Sequence, residues 1–316
     1  MEKIDNVTGF IFRGLFQNRE VEEVSFVAFS FFYTVILLGN LLIMLTIFMG
    51  NLLKTPMYFF LNSLSFVDIC FSSVTAPKMI VDLLVENKTI SFEGCMLQVF
   101  GVHFFGGTEI FILIVMAYDR YVAICKPLHY VTIMDRERCS KILLGTWVSG
   151  FFHSIIQVAL VVHLTFCGPN EIDHYFCDVR PILKLACTNT YIISAIVTAN
   201  SGTITLGSFV FLLISYSVIL VSLRKQSAEG RRKALSTCGA HIAVVIIFFG
   251  PCVFTYMRPN VTFSEDKMVA VFYTIITPML NPMIYTLRNA EVKNAMKKLW
   301  GKRISASLSS LIIIFH

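Results

Sequence analysis

Two carboxylates stand alone in sequence that is otherwise free of charge. Between residues 55 and 77 the one acidic or basic residue is Asp68, and between 94 and 118 it is Glu109. An ionisable group inside such a stretch is costly to bury, so it points to function and calls for a partner. Two buried carboxylates repel unless a proton or a cation sits between them. Their oxygens, with amide groups from Asn40 and Asn281 near the same depth, suit a hard cation such as sodium. The plainer alternative is that one acid is protonated and both join helices together.

A second constellation is Asp119-Arg120-Tyr121, inside the run Met116-Ala-Tyr-Asp-Arg-Tyr-Val-Ala-Ile-Cys125 followed by Lys126-Pro-Leu-His-Tyr130. An Arg at a helix end can pair with the adjacent Asp or swing to another helix, which is the bistable contact a switch needs. Ordinary snorkelling at a membrane interface places the same residues there. No metal cluster, nucleophile motif or phosphate loop accompanies them, so nothing in the sequence argues for an enzyme.

These side chains need elements to hold them, and the charge map supplies those. Hydrophobic residues make up 56 % of the 316 and charged residues 15 %, with 29 phenylalanines and a mean hydropathy of +0.72. A soluble chain carries roughly 25 % charged residues, so this composition belongs to an integral membrane protein. The net charge of +6 is too small and scattered for nucleic acid. Stretches 24–53, 142–170, 185–223, 234–257 and 268–287 contain no acid or base, and 55–77 and 94–118 contain one acid each. A helix crosses the hydrocarbon core in about 20 apolar residues. The expectation is an all-α membrane protein with seven helical spans, since β-barrel strands would show short polar–apolar alternation instead.

Orientation follows from the bases. One side carries 17 of the 26 Lys and Arg residues, and the other carries nine with 13 acids. The basic side is cytoplasmic, which puts the N-terminus outside. The three N-x-[ST] sequons, at Asn6, Asn87 and Asn260, all fall on the outer side. Asn6 is the better glycosylation candidate, because Asn87 and Asn260 lie close to the membrane. No cleavable signal is visible in MEKIDNVTGF, so the first span is expected to direct insertion. The organisation expected is an extracellular N-terminus 1–23, a seven-span domain 24–287, and a cytoplasmic amphipathic helix and tail 288–316. The apolar run from Leu308 to Phe315 is too short to cross.

Depth and redox side follow from this frame. Asp68 lies 11 residues beyond Met57, and Glu109 lies 11 before Arg120, so both carboxylates sit about 16 Å from the cytoplasmic face. Of nine cysteines, Cys95, Cys167, Cys177 and Cys187 lie outside, where disulfides form. Four cysteines allow three pairings, and spacing alone does not choose among them. His174-Tyr-Phe-Cys177-Asp178 has metal-ligand residue types, but a ligating Cys must be a free thiolate, which a disulfide removes.

Taken together, the motifs resemble those of a rhodopsin-class G-protein-coupled receptor, specifically an odorant (olfactory) receptor of the tetrapod-type branch. The matching strings are Gly39-Asn40, Leu53-Lys-Thr-Pro-Met-Tyr-Phe-Phe-Leu61, Leu64-Ser65 with Asp68, the run from Met116 to Tyr130, and Ser215-Tyr216. Lys233-Ala-Leu-Ser-Thr-Cys-Gly-Ala-His241 opens the sixth span, and Pro278-Met-Leu-Asn-Pro-Met-Ile-Tyr-Thr-Leu-Arg-Asn289 closes the seventh. The resemblance covers about residues 5 to 300.

The resemblance implies pairings and roles that the residues alone leave open. It implies disulfides Cys95–Cys177 and Cys167–Cys187, and a sodium ion near Asp68 and Glu109 with no other cofactor. It implies an activation switch and G-protein contact built from Asp119, Arg120, Tyr121, Tyr216, His241, Asn281, Pro282 and Tyr285. The implied partners are a small volatile odorant, the olfactory stimulatory heterotrimeric G protein that raises cyclic AMP, and the bilayer of olfactory neuron cilia. Alternatives are a non-sensory chemoreceptor of the same family or a transporter, although no internal repeat supports the latter. Two departures stand out. Lys54 replaces the family's usual His, and Phe248-Phe249-Gly250-Pro251 lacks the Trp common before the span-six Pro, while Pro251 should still kink the helix. After span seven, Val292, Met296, Leu299 and Trp300 alternate with Lys293, Lys297 and Lys298 as an interfacial amphipathic helix.

The ligand is expected between spans three, five, six and seven, entering from outside. His103 lies eight residues below Cys95, about 12 Å down. Val102 and Gly106 share its face, and Gly106 with Gly107 is expected to leave open space. Asn200 and Ile204 from span five, Cys252 and Tyr256 from span six, and Val271 and Thr274 from span seven complete the expected lining. A mostly apolar lining of this kind suits a small volatile molecule. A retinal-type Schiff base is excluded, since 268–287 contains no Lys.

Overall fold

The computed structural model describes residues 3–4, 8–167, 170–224, 227–257, 263–288 and 290–301. Asn6, Asn260, the Tyr256 side chain and the apolar run 308–315 lie outside the described residues. Helices Arg19–Met49, Pro56–Asp82, Phe92–Cys125, Arg136–Val161, Tyr191–Leu223 and Ala228–Met257 form spans one to six. Span seven consists of Phe263–Val271, a π-helical turn Phe272–Ile276 and Thr277–Arg288. Six of the seven are long and apolar enough to cross a bilayer along their length. In span six the described apolar stretch is His241–Val253, inside the charge-free run 234–257.

Several helices overrun their charge-free stretches because local caps extend them. Span one begins at Arg19 rather than residue 24: Asn18 Oδ1 accepts from Glu20 N at 2.9 Å, and Glu20 and Glu22 lie in the first turn. Acids there complement the helix dipole. Span two starts on Pro56, whose missing N–H costs nothing at a first turn. Ser91 caps span three through Gly94 N at 3.0 Å, and Asp135 caps span four through Arg138 N at 2.9 Å. The turn after span one uses Asn51 at φ 57°, a left-handed conformation that Asn tolerates.

Span three is the central element and packs on spans two, four and five. In a bilayer, helices associate by close packing and small residues rather than by expelling water. Gly150 on span four is such a residue: a Cβ there would lie 2.2 Å from Thr108 Oγ1 and 2.9 Å from the Phe104 carbonyl oxygen. Gly39 plays the same part between spans one and seven, where a Cβ would stand 3.2 Å from the Pro282 ring. The outward faces carry Phe151, Phe152, Ile155, Phe211 and Ile214, all exposed on the bundle as lipid-facing residues should be.

The outer end carries strands that the charge map gave no sign of. Strand β1 (Lys3–Ile4) pairs antiparallel with β4 (Phe166–Cys167). Strand β2 (Gly9–Phe12) lies between β3 (Thr89–Ser91) and β5 (Glu171–Ile172), antiparallel to the first and parallel to the second. The N-terminal segment is thereby woven into the first and second outer loops. Phe10 and Phe12 are buried beneath it, and Arg13 pairs with Glu171 at 3.2 Å. Both disulfides are present: Cys95–Cys177, with Cα atoms 5.4 Å apart, and Cys167–Cys187, with Cα atoms 5.2 Å apart. Asn87 is exposed in the turn leading to β3.

At the cytoplasmic end the helix Ala290–Met296 continues into a π-helical turn Lys297–Gly301. Val292 is buried and Met296 packs against the core, while Lys293, Lys297 and Lys298 are exposed. Tyr58 Oη donates to Glu291 at 2.8 Å, and Trp300 Nε1 donates to Thr46 Oγ1 at 3.0 Å. These bonds dock the amphipathic helix on spans two and one.

Candidate functional site

Three arrangements of polar groups line the axis of the bundle. The outermost is a cavity of about 160 Å³. Val102, His103, Gly106 and Gly107 from span three, Ile204 from span five and Cys252 from span six contribute to its wall. Span two adds Phe71, span four His153, and the second outer loop His174, Asp178 and Arg180. Sequence spacing missed these, because loop residues 174–181 reach the cavity only through the disulfide that draws Cys177 onto Cys95.

Three expected lining residues are placed elsewhere, each held by a hydrogen bond or by packing. Asn200 is turned toward span four, its Oδ1 2.7 Å from His153 Nδ1. Thr274 is buried, with Oγ1 donating to the Ala270 carbonyl at 2.8 Å and 3.1 Å from Tyr175 Oη. Val271 packs in the hydrophobic cluster with Phe29, Phe71 and Tyr175. The space beside the two glycines is also partly filled. A Cβ on Gly107 would stand 3.2 Å from the His153 ring, and one on Gly106 would stand 3.5 Å from Phe71. The glycines admit those rings to the wall.

The second outer loop closes this cavity from above. Cys177 N donates to Gln98 Oε1 at 2.8 Å, while Gln98 Nε2 donates to the Val74 carbonyl at 3.0 Å. Lys267 at the top of span seven pairs with Asp173 at 2.6 Å. Asp178 Oδ1 accepts from Val179 N at 2.8 Å and lies 3.3 Å from His103 Nε2. Burial opposes the Asp178 charge, but His103, His174 and the Val179 amide outweigh it and hold its pKa down to about 2. His174 is stacked on Tyr175 and set edge-on to Phe176, with ring centroids 4.8 and 4.4 Å away. Its burial, with Lys267 adding to the effect against Asp178 and Asp173, lowers its pKa to about 4.

The signs of the two shifts agree. The unfolded chain takes up protons first at both positions, so stability falls on acidification. His174 acts as pH drops from about 6.5 toward 4, and Asp178 between about 4 and 2. At His174 the full effect is on the order of 3 kcal/mol. Thermal unfolding of the detergent-solubilised receptor should therefore shift downward between pH 6.5 and 4, and His174→Phe should flatten that slope. An unchanged slope in the variant would remove His174 as its cause.

Below the cavity lies the pair of acids. Asp68 and Glu109 are both fully buried and near enough for their charges to interact. Asn281 Nδ2 donates to Asp68 Oδ2 at 2.9 Å. Asn40 Nδ2 donates to the Ile36 and Pro278 carbonyls, each at 3.0 Å. That leaves Asp68 Oδ1, both Glu109 carboxylate oxygens, Asn40 Oδ1 and Asn281 Oδ1 without a hydrogen-bond partner among the described residues. The unpartnered oxygens on these four residues are of the type a hard cation takes as ligands. Among the described residues no cluster of three or more His, Cys, Asp or Glu groups forms a transition-metal site.

The third arrangement lies at the cytoplasmic end. Asp119, fully buried, accepts from Arg120 Nε at 2.9 Å and from Tyr130 Oη at 2.7 Å. Tyr216 on span five and His241 on span six are hydrogen-bonded through Oη and Nδ1. Tyr121 stacks on Tyr118 at 6.4 Å, with Lys126 Nζ 6.0 Å from its ring. Pro282 packs against Gly39, and Tyr285 is buried with its hydroxyl unpartnered among the described residues.

Comparison with known proteins bears on this geometry. A family model described as olfactory receptor matches residues 29–303. The chain is 81 % identical over 304 residues to human olfactory receptor 4S2, covering 96 % of this chain and 98 % of that one. It is 59 % identical over 303 residues to human olfactory receptor 4B1, covering 96 % and 98 %. It is 58 % identical over 305 residues to mouse olfactory receptor 4B13, covering 96 % and 100 %.

Proposed function

Because the chain belongs to the olfactory receptor family, multi-pass membrane receptors that bind odorants and couple to G proteins and are not enzymes, we propose that it detects a small volatile in the outer cavity and signals through a stimulatory G protein to raise cyclic AMP. The observation that carries this reading is the cavity itself. Its volume of about 160 Å³ suits a molecule of odorant size, and its wall combines apolar side chains with polar groups from the spans and the second outer loop. Olfactory neuron cilia are the corresponding location.

The geometry suggests how occupancy reaches the cytoplasm. Cys252 lines the cavity next to Pro251, which lies inside the span-six helix. Phe248, one turn below, also lines it and packs edge-on to Phe249 at 5.2 Å; Phe249 in turn stacks on Phe209 of span five at 5.9 Å. These rings occupy the region where the usual Trp is missing. Further down the same helix, His241 bonds Tyr216. An odorant that fits one arrangement of span six better than another shifts the population toward it, and the Tyr216–His241 and Asp119–Arg120 contacts change with it. Cyclic AMP measured in cells expressing the chain, challenged with a broad volatile panel, tests the reading. A receptor at the cell surface that answers no volatile would contradict it.

Sodium belongs to the same proposal. The oxygens of Asp68, Glu109, Asn40 and Asn281 would hold the ion between spans one, two, three and seven, neutralising charge that is otherwise unpaired. An ion that prefers the resting arrangement opposes the odorant. Raising sodium should therefore shift the odorant dose–response to higher concentration on wild-type membranes, and Glu109→Gln should remove that sensitivity. A flat sodium titration on wild type would mean that the carboxylates share a proton instead.

A further inference from the structure

We propose that the odorant for this cavity is a neutral molecule bearing a hydroxyl group, bound with its hydroxyl between His153 and Ser201 and its carbon skeleton against Phe71, Ile204 and Phe248. The proposal rests on the outer cavity being the odorant site.

Spans four and five are joined by two polar rungs one helical turn apart. In the lower rung, Asn200 Oδ1 is 2.7 Å from His153 Nδ1. An amide oxygen can only accept, so Nδ1 carries the proton, and in a neutral ring that leaves Nε2 as an acceptor. In the upper rung, Gln157 Nε2 donates to Ser201 Oγ at 3.1 Å. With that bond accepted, the Ser201 hydroxyl proton remains available to donate. His153 and Ser201 both line the cavity, so its wall offers one acceptor and one donor from adjacent rungs. Gly107 is what lets the imidazole lie there, since a Cβ would stand 3.2 Å from its Cδ2 atom.

A hydroxyl both donates and accepts through a single atom, so it matches both wall groups. An ether, ester or ketone accepts from Ser201 and leaves His153 Nε2 unmatched. A hydrocarbon leaves both unmatched. A carboxylate only accepts, so it too leaves His153 Nε2 unmatched, and the wall that holds Arg180 also holds Asp178 and Asp266. His103 stands on the Asp178 side of the wall, its Nε2 3.3 Å from Asp178 Oδ1 and without a hydrogen bond among the described residues.

A buried polar group left unmatched costs about tenfold or more in affinity. The test is a cyclic AMP dose–response on surface-verified receptor with matched sets on six- to ten-carbon skeletons: alcohol, methyl ether, ketone, carboxylic acid and hydrocarbon. The alcohol should be about tenfold or more the most potent of its set. His153→Phe should bring alcohol and ether within about twofold of one another by weakening the alcohol, whereas Ser201→Ala should weaken alcohol, ether and ketone alike against the hydrocarbon and leave the alcohol ahead of the ether. Ser201→Ala is the milder change and serves if His153→Phe fails to reach the surface. Equal potency of alcohol and ether on wild type, a preference for another class, an alcohol preference over ether that survives His153→Phe, or a Ser201→Ala receptor with unchanged potency for alcohol and ether would overturn the hydroxyl assignment while leaving the odorant site standing. Silence toward every class would overturn both.

Discussion

Arg120→Ala should reach the cell surface and fail to signal. Arg120 bonds Asp119 through Nε at 2.9 Å, and Tyr130 holds the other Asp119 oxygen at 2.7 Å. The pair sits at the cytoplasmic end of span three, far along the helix from the cavity-lining residues Val102 to Ile110. Odorant entry is therefore untouched by the change, and coupling is lost. Asp119→Asn should give the opposite result. It keeps the shape of the side chain but removes the charge that retains Arg120. A hydrogen bond to a charged group contributes roughly 1.5–3 kcal/mol, so its loss shifts the resting equilibrium by about one to two orders of magnitude. Basal cyclic AMP should rise accordingly. Both variants need surface staining alongside. A surface-expressed Arg120→Ala with a normal odorant response would show that the Asp119–Arg120 pair is an interfacial contact with no part in switching.

Losing the disulfide between span three and the outer loop should be as severe, but at the level of folding. Cys95 and Cys177 are separated by 82 residues and Cys167 and Cys187 by 20. By loop-closure entropy the longer link contributes about 4–5 kcal/mol and the shorter about 3. The longer bridge also places the Cys177 amide on Gln98, which in turn holds Val74 of span two. Without it the loop bearing His174, Asp178 and Arg180 is held over the cavity only by non-covalent contacts such as Lys267–Asp173 and Tyr175–Thr274. Cys95→Ser and Cys177→Ser should both be retained in the endoplasmic reticulum, and the double variant should be no worse than either single one. Cys167→Ser should retain a larger surface fraction. Normal trafficking of both Cys95→Ser and Cys177→Ser would make the bridge dispensable.

The sequence was most informative where membrane physics leaves few options. A charge-free stretch of about 20 residues in a bilayer has to be a helix, so the seven spans were legible from the positions of acids and bases alone. The depth of Asp68 and Glu109 followed from the same count, since rise per residue is fixed in a helix. The strands at the outer end were not legible. Gly9–Phe12 is four residues long, and its partners Thr89–Ser91 and Glu171–Ile172 are shorter still. Pairing of such segments is set by where two disulfides and three loops place them. For the cavity, spacing named the span-three wall, because a single helix fixes which residues share a face. Rotation of one helix against another is what spacing does not give. It turned Asn200 toward His153 and Thr274 toward Tyr175, and brought His153 and Ser201 into the wall instead. The positions of the glycines were plain in the sequence, but their use was not. Gly107 and Gly150 make room for His153 and for the close approach of spans three and four.

The central claim is that a volatile seated in the outer cavity drives cyclic AMP, and Gly106→Leu tests it most directly. Gly106 lines the cavity, and a Cβ there would meet only the edge of the Phe71 ring at 3.5 Å. The larger side chain therefore grows into the space the ligand needs without forcing backbone apart. The measurement is a cyclic AMP dose–response, on wild type and Gly106→Leu at matched surface density, to a volatile that wild type answers. The predicted result is unchanged basal cyclic AMP with the odorant response lost or displaced by at least about a hundredfold, since the ligand's own volume is taken. Superimposed curves for the two receptors would place the odorant somewhere else and contradict the account.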